Sequence, residues 1–287
     1  MQIPQKLTLT FLALLAFAGN SVLCRWALVE YQMDPASFTL LRLASGAAVL
    51  IVLAGRGRAE PPRSQPTSWW GALWLLVYAA GFGYAYVGLA TGIGALILFT
   101  AVQFTMLGLS ALRGERHNLT QIVGICCALG GFGYLVLPQF SQPLSLASSV
   151  LMISAGIAWG AYSTLGRGAL TPLKDTKVHF GRALILGLPL VFLIDSWQQW
   201  SVAATVLALS SGAITSAVGY AIWFKVLPQL RVTTAAVAQL SVPIIAALGG
   251  NLFVGEAISQ RFTIASGIIL ISIFVVIKNR GNITPTK

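Results

Sequence analysis

Long apolar runs recur along the whole chain, separated by short breaks that are polar or contain proline and glycine. Each run can cross a hydrocarbon core of about 30 Å as a helix rising about 1.5 Å per residue. The pattern predicts ten membrane-spanning helices, at residues 7–28, 35–53, 70–89, 93–112, 119–137, 146–166, 178–194, 202–224, 232–252 and 262–277. Because the break at residues 90–92 is very short, the apolar pattern alone also permits nine.

The distribution of basic residues decides between these two counts. With ten spans and a cytoplasmic N-terminus, only Arg261 falls in an external segment, and Arg25, Arg42 and Arg182 fall within spans. All the other lysines and arginines, of 18 in total, fall in cytoplasmic segments. Since basic residues concentrate in cytoplasmic loops, this asymmetry favours ten spans with both termini in the cytoplasm.

The composition supports a membrane protein and excludes a soluble one. Hydrophobic residues make up 56% of the chain and charged residues 9%, whereas soluble domains are about a quarter charged. The net charge of +11 therefore fits basic cytoplasmic loops better than nucleic-acid binding. The three cysteines lie in apolar runs without disulfide or zinc spacing, so we expect no metal and no cofactor.

The chain also contains an internal repeat. Three segments recur: residues 17–28 as 159–170, Gly83-Tyr84 as Gly219-Tyr220, and Gly114-Glu115 as Gly255-Glu256. We therefore predict two five-helix repeats, residues 1–140 and 141–287, joined by a linker at 138–143. Because five is odd, the second repeat would be inverted relative to the first, as in many secondary transporters. The recurrence of the first run also favours a retained helix over a cleaved signal peptide.

Several of these features together resemble the drug/metabolite transporter superfamily, EamA type. They are the five-plus-five helices, the Gly-Glu pair at the fourth/fifth and ninth/tenth junctions, the segment Pro35-Ala-Ser-Phe-Thr-Leu-Leu-Arg42, and Pro243 thirteen residues before Glu256. Residues 96–103 (Leu-Ile-Leu-Phe-Thr-Ala-Val-Gln) are most similar to the YddG group of bacterial aromatic amino-acid exporters. The resemblance implies an all-α carrier of the bacterial inner membrane that alternates access. Val102 stands in the first half at the position of Pro243, so a proline kink is expected only in the ninth helix.

Polar and aromatic residues at mid-depth are the candidate substrate-binding residues, most of them within about 10 Å of the bilayer centre. They are Asn20, Tyr78, Phe82, Phe99, Gln103, Trp159, Tyr162, Ser163 and Gln239. Amides and hydroxyls suit the charged groups of an amino acid, and aromatic rings suit its side chain. Each aromatic residue could equally serve packing, and each amide could bridge two helices.

Two tyrosines are candidate gating residues. Tyr84 and Tyr220 occupy equivalent positions of the repeat, near the outer end of the third span and the inner end of the eighth. Equivalent positions of an inverted repeat face opposite sides of the membrane. We hypothesise that these tyrosines belong to opposing gates, with helix packing as the alternative.

The charged residues bear on coupling and on substrate charge. All seven carboxylates fall in loops or at helix ends, which favours facilitated diffusion or exchange over proton antiport. Arg42 could meet a substrate carboxylate, but its distance from the outer surface favours pairing with Glu30 or Asp34. His179 is expected at the cytoplasmic interface.

Three other functions compete with export of amino acids. A carrier of organic anions such as sugar phosphates would want a basic residue at the midplane, and the spacing predicts none there. A membrane-embedded enzyme lacks support, since no zinc-binding motif, nucleophile motif or intramembrane acid pair occurs. An ion channel would need a charged ring or a filter segment. We expect lipid and a small-molecule substrate as partners, no nucleic acid, and a monomer or weak homodimer.

Overall fold

The computed structural model of the protein consists of helices and short connections. It describes residues 3–56, 67–112, 119–136, 145–167, 171–194, 201–230, 238–239 and 241–278. Within these ranges every regular element is helical, and none is a strand. The predicted linker at 138–143, the pair Gly114-Glu115 and half of the basic residues predicted for cytoplasmic segments lie outside the described residues.

The helices follow the predicted order, and α8 is composite. They are α1 (Ile3–Val29), α2 (Pro35–Arg56), α3 (Trp69–Gly88), α4 (Thr91–Leu112), α5 (Leu119–Val136), α6 (Leu146–Arg167), α7 (Pro172–Gly187), α8 (Val202–Gln229), α9 (Val242–Val254) and α10 (Gln260–Lys278). A 3₁₀ turn at Leu188–Leu193 extends α7. Within α8, the segment Ser211–Val218 is π-helical.

The length and composition of these helices are those of a multi-pass membrane protein. Seven described helices are long and apolar enough to cross a membrane, namely α1 to α4, α6, α7 with its 3₁₀ turn, and α8. Shorter apolar helices, Ile122–Gly131 within α5, Val242–Val254 and Gln260–Val275, lie at the fifth, ninth and tenth predicted spans. The chain is therefore an all-helical integral membrane protein. The count of ten crossings and the inverted repeat stay predictions.

Two helix boundaries have a local physical cause, the break between α3 and α4 and the start of α7. The third and fourth helices are separate, because Leu89 is extended (φ −120°, ψ 134°) and ends α3 before Thr91 begins α4. The seventh helix begins at Pro172, six residues before the predicted start at 178. Proline fits the first helical turn, where no N–H is needed, and the negative charge of Asp175 in that turn is stabilised by the positive end of the helix dipole. The polar residues before 178 therefore belong to the helix and not to a loop.

The central core lies where α1, α2, α3, α6 and α8 meet. α3 packs against α6, α2 packs against α7 and α8, and α1 packs against α8 and α9. α5 packs chiefly against α10, with Gly131 close to Ile268 and Ile269. The helices from both predicted halves thus meet at the centre, whereas α5 and α10 pair with each other.

Glycine permits the close crossing of α2 and α8. A Cβ on Gly212 would lie 2.8 Å from the backbone carbonyl carbon of Arg42, closer than side-chain atoms approach backbone. On the α2 side, a Cβ on Gly46 would lie 3.2 Å from the carbonyl oxygen of Gly212. Small residues of this kind let helix backbones approach without a hydrophobic driving force between them. The crossing brings the polar face of α8 against Arg42.

Candidate functional site

Asn20 of α1 lies at the centre of a buried hydrogen-bond network. Its Nδ2 donates to the hydroxyl of Tyr78 on α3 at 3.2 Å. Its Oδ1 accepts from the hydroxyls of Ser211 at 2.6 Å and Thr215 at 3.2 Å, both on the π-helical segment of α8. An amide at this depth needs such partners, because no water compensates it in hydrocarbon. Asn20 therefore joins three helices, α1, α3 and α8.

Arg42 of α2 lies beside this network and shares Tyr78 with it. Its Nε donates to Ser216 at 3.0 Å, and its Nη2 donates to the hydroxyls of Tyr78 at 2.9 Å and Tyr220 at 3.2 Å. The guanidinium carbon lies 4.9 Å from the centre of the Tyr78 ring and 5.0 Å from that of Phe82. The whole side chain is 1% exposed. Hydroxyl oxygens and ring faces thus surround the cation.

The favoured pairing of Arg42 with Glu30 or Asp34 is wrong. Arg42 donates to hydroxyl groups instead, and Asp34 accepts a hydrogen bond from the backbone of Ser37 at the start of α2. The arginine side chain extends inward and reaches Tyr78, which lies at the middle of α3. Distance along the helix from the outer surface was a poor guide, because this long side chain spans about a helical turn.

Aromatic rings form the wall next to the polar network, with Trp159 of α6 at their centre. The Trp159 ring centre lies 4.7 Å from Tyr220, 4.9 Å from Tyr78, 5.7 Å from Tyr162 and 5.9 Å from Phe17. The rings adopt edge-on or tilted arrangements, which suit the charge distribution of aromatic faces and edges. Four helices, α1, α3, α6 and α8, contribute to this wall.

The structure brings together most of the predicted site residues, in one buried cluster. Asn20, Tyr78, Phe82, Trp159, Tyr162 and the predicted gating residue Tyr220 belong to it. Phe99, Gln103, Ser163 and Gln239 are also buried, but the ring contacts and hydrogen bonds described for the cluster do not include them. Nε2 of Gln103 has no hydrogen-bond partner among the described residues. Tyr84 is half-buried on α3.

An ion pair closes the end of the bundle that is predicted to be external. Nε of Arg25 lies 2.7 Å from Oε1 of Glu256, and its Nη1 donates to the carbonyls of Tyr86 and Val87 at 2.7 and 2.9 Å. The other carboxylate oxygen of Glu256 accepts from the backbone N–H of Thr91 at 2.7 Å. This cluster links the ends of α1 and α3, the start of α4 and the turn after α9.

The opposite end of the cluster approaches His179 of α7. Nδ1 of His179 lies 3.4 Å from the Tyr162 hydroxyl, and the two ring centres lie 5.5 Å apart. His179 is buried within the bundle, and its place at the cytoplasmic interface stays a prediction. Farther toward this end, Arg182 donates to the carbonyl of Thr67 at 2.5 Å and lies over the Trp69 ring at 4.4 Å.

Sequence reasoning missed the hydroxyl groups of α8. Ser211, Thr215 and Ser216 lie in an apolar span, and nothing in an α-helical wheel places all three on one face. The wider π-helical turn does so, because it repeats near every five residues. The signal available in the sequence was the density of serine and threonine in residues 210–216.

Comparison with known proteins gives a consistent result. The model of the EamA-like transporter family matches residues 146–278. A Pseudomonas aeruginosa protein described as uncharacterized is 45% identical over 276 residues, covering 96% of each chain. The threonine/homoserine exporter RhtA of Escherichia coli is 25% identical over 81% of this chain and 78% of its own.

Two further similarities extend the comparison. A probable terminal-alkyne amino-acid exporter of Streptantibioticus cattleyicolor is 23% identical over 77% of this chain and 76% of its own. A solved crystal structure shares the fold, with a TM-score of 0.68 over 96% of both chains at 19% identity. Since that identity is low, the structural likeness concerns the fold alone.

Proposed function

Since the chain belongs to the EamA-like transporter family and is a multi-pass membrane transporter, we propose that it exports small amino acids, with aromatic ones favoured. Transport proceeds by alternating access in the inner membrane of a bacterium. The names of the family and of the similar exporters indicate transport rather than catalysis. Two similar proteins are named as exporters of threonine and homoserine and of an alkyne amino acid, which supports an amino acid as the substrate class.

The observation that carries the proposal is the buried polar and aromatic cluster at the crossing of helices from both halves. Asn20 and Arg42 offer an amide and a guanidinium, and Ser211 and Thr215 add hydroxyls, and all four side chains are buried. A site at the midplane between two repeats is where an alternating-access carrier binds its substrate. Polar groups are costly in hydrocarbon, so their concentration here favours a binding role over packing alone.

The preference for aromatic substrates rests on the rings. Four ring centres lie within 6 Å of that of Trp159 in tilted or edge-on contacts, namely those of Tyr78, Tyr220, Tyr162 and Phe17. An aromatic side chain can replace one of these ring–ring contacts at little cost, since each such pair contributes about 0.5–1.5 kcal/mol. Threonine would leave that area unfilled.

A carrier of organic anions is the second candidate, and Arg42 is the observation that favours it. The sequence argument against this function was that no basic residue would lie at the midplane. The structure overturns that premise, because Arg42 is buried and contacts Tyr78 in the middle of α3. An anion that lacks an amino group would satisfy the arginine equally well.

For coupling, we propose facilitated diffusion or exchange. The described carboxylates, Glu30, Asp34, Asp175 and Glu256, are exposed or half-buried at helix ends. A proton antiporter commonly keeps an acid at mid-depth beside its substrate site, whereas these four lie in the first turns or beyond the ends of helices. The protein is expected to act as a monomer or weak homodimer.

Counterflow in proteoliposomes tests the proposal. Vesicles loaded with unlabelled tryptophan, phenylalanine or threonine should accumulate the labelled amino acid, with tryptophan and phenylalanine faster than threonine. Imposing a pH gradient should leave the initial rate unchanged. Absence of saturable flux for all three amino acids would refute amino-acid export, and a rate that follows the gradient would refute uncoupled transport.

The ring wall has its own matched comparison. Trp159→Leu should reduce the preference for tryptophan over threonine several-fold, because it removes the ring on which four others pack. Trp70→Leu is the control, since this tryptophan is 62% exposed near the start of α3. Equal effects of the two substitutions would show that the preference does not come from the central rings.

A further inference from the structure

Arg42 carries a buried positive charge without a negative partner. It is the only buried arginine or lysine in the described part of the chain. Its hydrogen-bond partners are the hydroxyls of Ser216, Tyr78 and Tyr220, and none of them is a carboxylate. The described carboxylates lie elsewhere, and Glu256 is paired with Arg25.

One nitrogen of the guanidinium also lacks a hydrogen-bond acceptor among the described residues. Nε and Nη2 donate to Ser216, Tyr78 and Tyr220, but Nη1 is buried without a hydrogen-bond partner among the described residues. A buried charge is costly unless it is paired and fully hydrogen-bonded. Three hydroxyls and two ring faces reduce this cost without neutralising the charge. Arg42 can therefore still bind an anion, and no carboxylate of the described residues forms an ion pair with it.

We propose that Arg42 binds the carboxylate of the transported molecule, so that the site selects substrates with one negatively charged carboxylate next to an apolar or aromatic group. This inference rests on the proposed transport function and names the group of the substrate that the site reads. The N–H groups of Nη1 would donate to a carboxylate oxygen, while Nε and Nη2 stay bound to Ser216, Tyr78 and Tyr220. The ring of Phe82, 5.0 Å from the guanidinium carbon, lies near enough to contact the rest of the molecule.

The charge balance favours a monoanion over a phosphate ester. A phosphate monoester carries about two negative charges at neutral pH, and Arg42 can neutralise one of them. The next arginines in the described residues are already engaged, Arg25 with Glu256 and Arg182 with the carbonyl of Thr67. A dianion would thus bring an uncompensated charge into a site whose remaining polar groups are neutral.

The close crossing of α2 and α8 holds the Arg42 side chain in place. Gly212 lets α8 approach the backbone of Arg42, and this approach brings Ser216 to Nε and Tyr220 to Nη2. Both residues come from the predicted second half of the chain, whereas Arg42 and Tyr78 come from the first. A carboxylate bound to Arg42 would therefore lie between the halves, where its arrival or departure can influence their packing.

The test compares acids with their amides in the purified full-length protein. Phenylalanine should inhibit counterflow of labelled tryptophan at least about tenfold better than phenylalaninamide, because the amide lacks the charge that Arg42 would bind. In Arg42→Gln this ratio should fall to near one. Arg182→Gln, an arginine that contacts Trp69 instead, should keep the ratio of the wild type. Equal inhibition by acid and amide in the wild-type protein would overturn the proposal.

A second measurement separates this proposal from amino-acid export. 3-Phenylpropionate should raise the melting temperature of the wild-type protein in detergent, 3-phenylpropionamide should not, and Arg42→Gln should respond to neither. If no amino acid is transported but this acid-specific shift depends on Arg42, amino-acid export is refuted and the carboxylate site stands. If amino acids are transported and Arg42→Gln keeps the full preference for acids, export stands and the carboxylate site is refuted.

Arg42→Lys covers the case in which the glutamine variant does not fold. Lysine keeps the charge but loses the separate N–H groups that bind Ser216, Tyr78 and Tyr220 while Nη1 stays free. The preference for acid over amide should therefore persist while the inhibition constant of phenylalanine rises several-fold. Equal inhibition by acid and amide in a folded Arg42→Lys protein would show that the charge at this position does not select the carboxylate.

Discussion

Tyr78 connects the two polar residues of the central cluster. Its hydroxyl accepts from Asn20 at 3.2 Å and from Arg42 at 2.9 Å, while its ring packs against Phe82 and Trp159. One side chain thus couples the amide, the guanidinium and the ring wall. The hydroxyl and the ring can be separated experimentally, because phenylalanine keeps the ring.

Tyr78→Phe should weaken substrate binding without unfolding the protein. Removing the hydroxyl leaves a charged donor and an amide donor without their acceptor, a loss of about 1–3 kcal/mol for each buried group. The half-saturating substrate concentration in counterflow should rise about tenfold. Tyr134→Phe is the matched control, since this tyrosine is 41% exposed on α5, where its ring lies over Arg261. An unchanged half-saturating concentration for Tyr78→Phe would remove its hydroxyl from the substrate site.

The π-helical segment of α8 is the element that shapes the polar face of the site. An α-helix advances 3.6 residues per turn, whereas the π-helical turn is wider and directs successive side chains differently. Ser211 and Thr215, which are four residues apart, face Asn20 on α1, and the wider turn also brings Ser216 to Arg42 on α2.

Gly212→Ala should destabilise this crossing. The added methyl group would meet the backbone of Arg42 and the hydroxyl of Ser45, and neither backbone can shift without disturbing the packed helices. The melting temperature in detergent should fall by several degrees. Gly267→Ala on α10 is the control, because a Cβ there meets no atom within 4 Å, and alanine has the higher helix propensity. A Gly212→Ala protein as stable as the wild type would show that the close approach is not required.

The ion pair and hydrogen bonds around Glu256, called the latch below, join the ends of α1 and α3 to the turn after α9. Glu256→Gln weakens the ion pair with Arg25 and should loosen the ends of α1 and α3 from the turn after α9. The buried Cys24 next to Arg25 is a native reporter, in a background where Cys126 and Cys127 are replaced by alanine. Its modification by a membrane-impermeant maleimide should become several-fold faster.

Glu30→Gln provides the control for the latch. Glu30 is also an acid at the end of α1, but it is exposed and does not bond to Arg25. Its replacement should leave the modification of Cys24 unchanged. If both substitutions accelerate modification equally, a general change of charge at this surface explains the effect, and the ion pair is not a latch.

At the scale of the whole molecule, the contact between Phe17 and Trp159 bears on the predicted repeat. These residues occupy equivalent positions when residues 17–28 are aligned with 159–170, and their ring centres lie 5.9 Å apart. Equivalent residues of two repeats related by a two-fold axis touch only near that axis. If the repeat is inverted, this contact would lie near its axis, and the inversion itself stays a prediction.

Reporter fusions test the inversion directly. Green fluorescent protein fused to the C-terminus should fluoresce and alkaline phosphatase should be inactive there, because the phosphatase needs disulfides that form outside the cytoplasm. Fusion after residue 140 should give the reverse result. If both positions report the same side of the membrane, the second half crosses it an even number of times, and two five-helix repeats are excluded.

The amino-acid sequence was enough to predict an integral membrane protein and the order of its helices. Apolar runs must be buried in lipid as helices, since backbone groups have no other partners there, so their positions could be read from the pattern. The same constraint exposed Asn20, Gln103 and Gln239 as polar residues at mid-depth. Boundaries were less accurate where polar residues continue a helix, as in the first turns of α7.

The contacts between these residues could be seen in the three-dimensional structure but not in the sequence. The wall around Trp159 and the network around Asn20 join residues more than 50 positions apart, and no local pattern encodes their contacts. The sequence suggested that Arg42 pairs with an acid near its own end of α2, but the guanidinium extends to Tyr78 and Tyr220 instead. The physical reason is the length of the side chain and the close crossing at Gly212, which together bring this charge into the core.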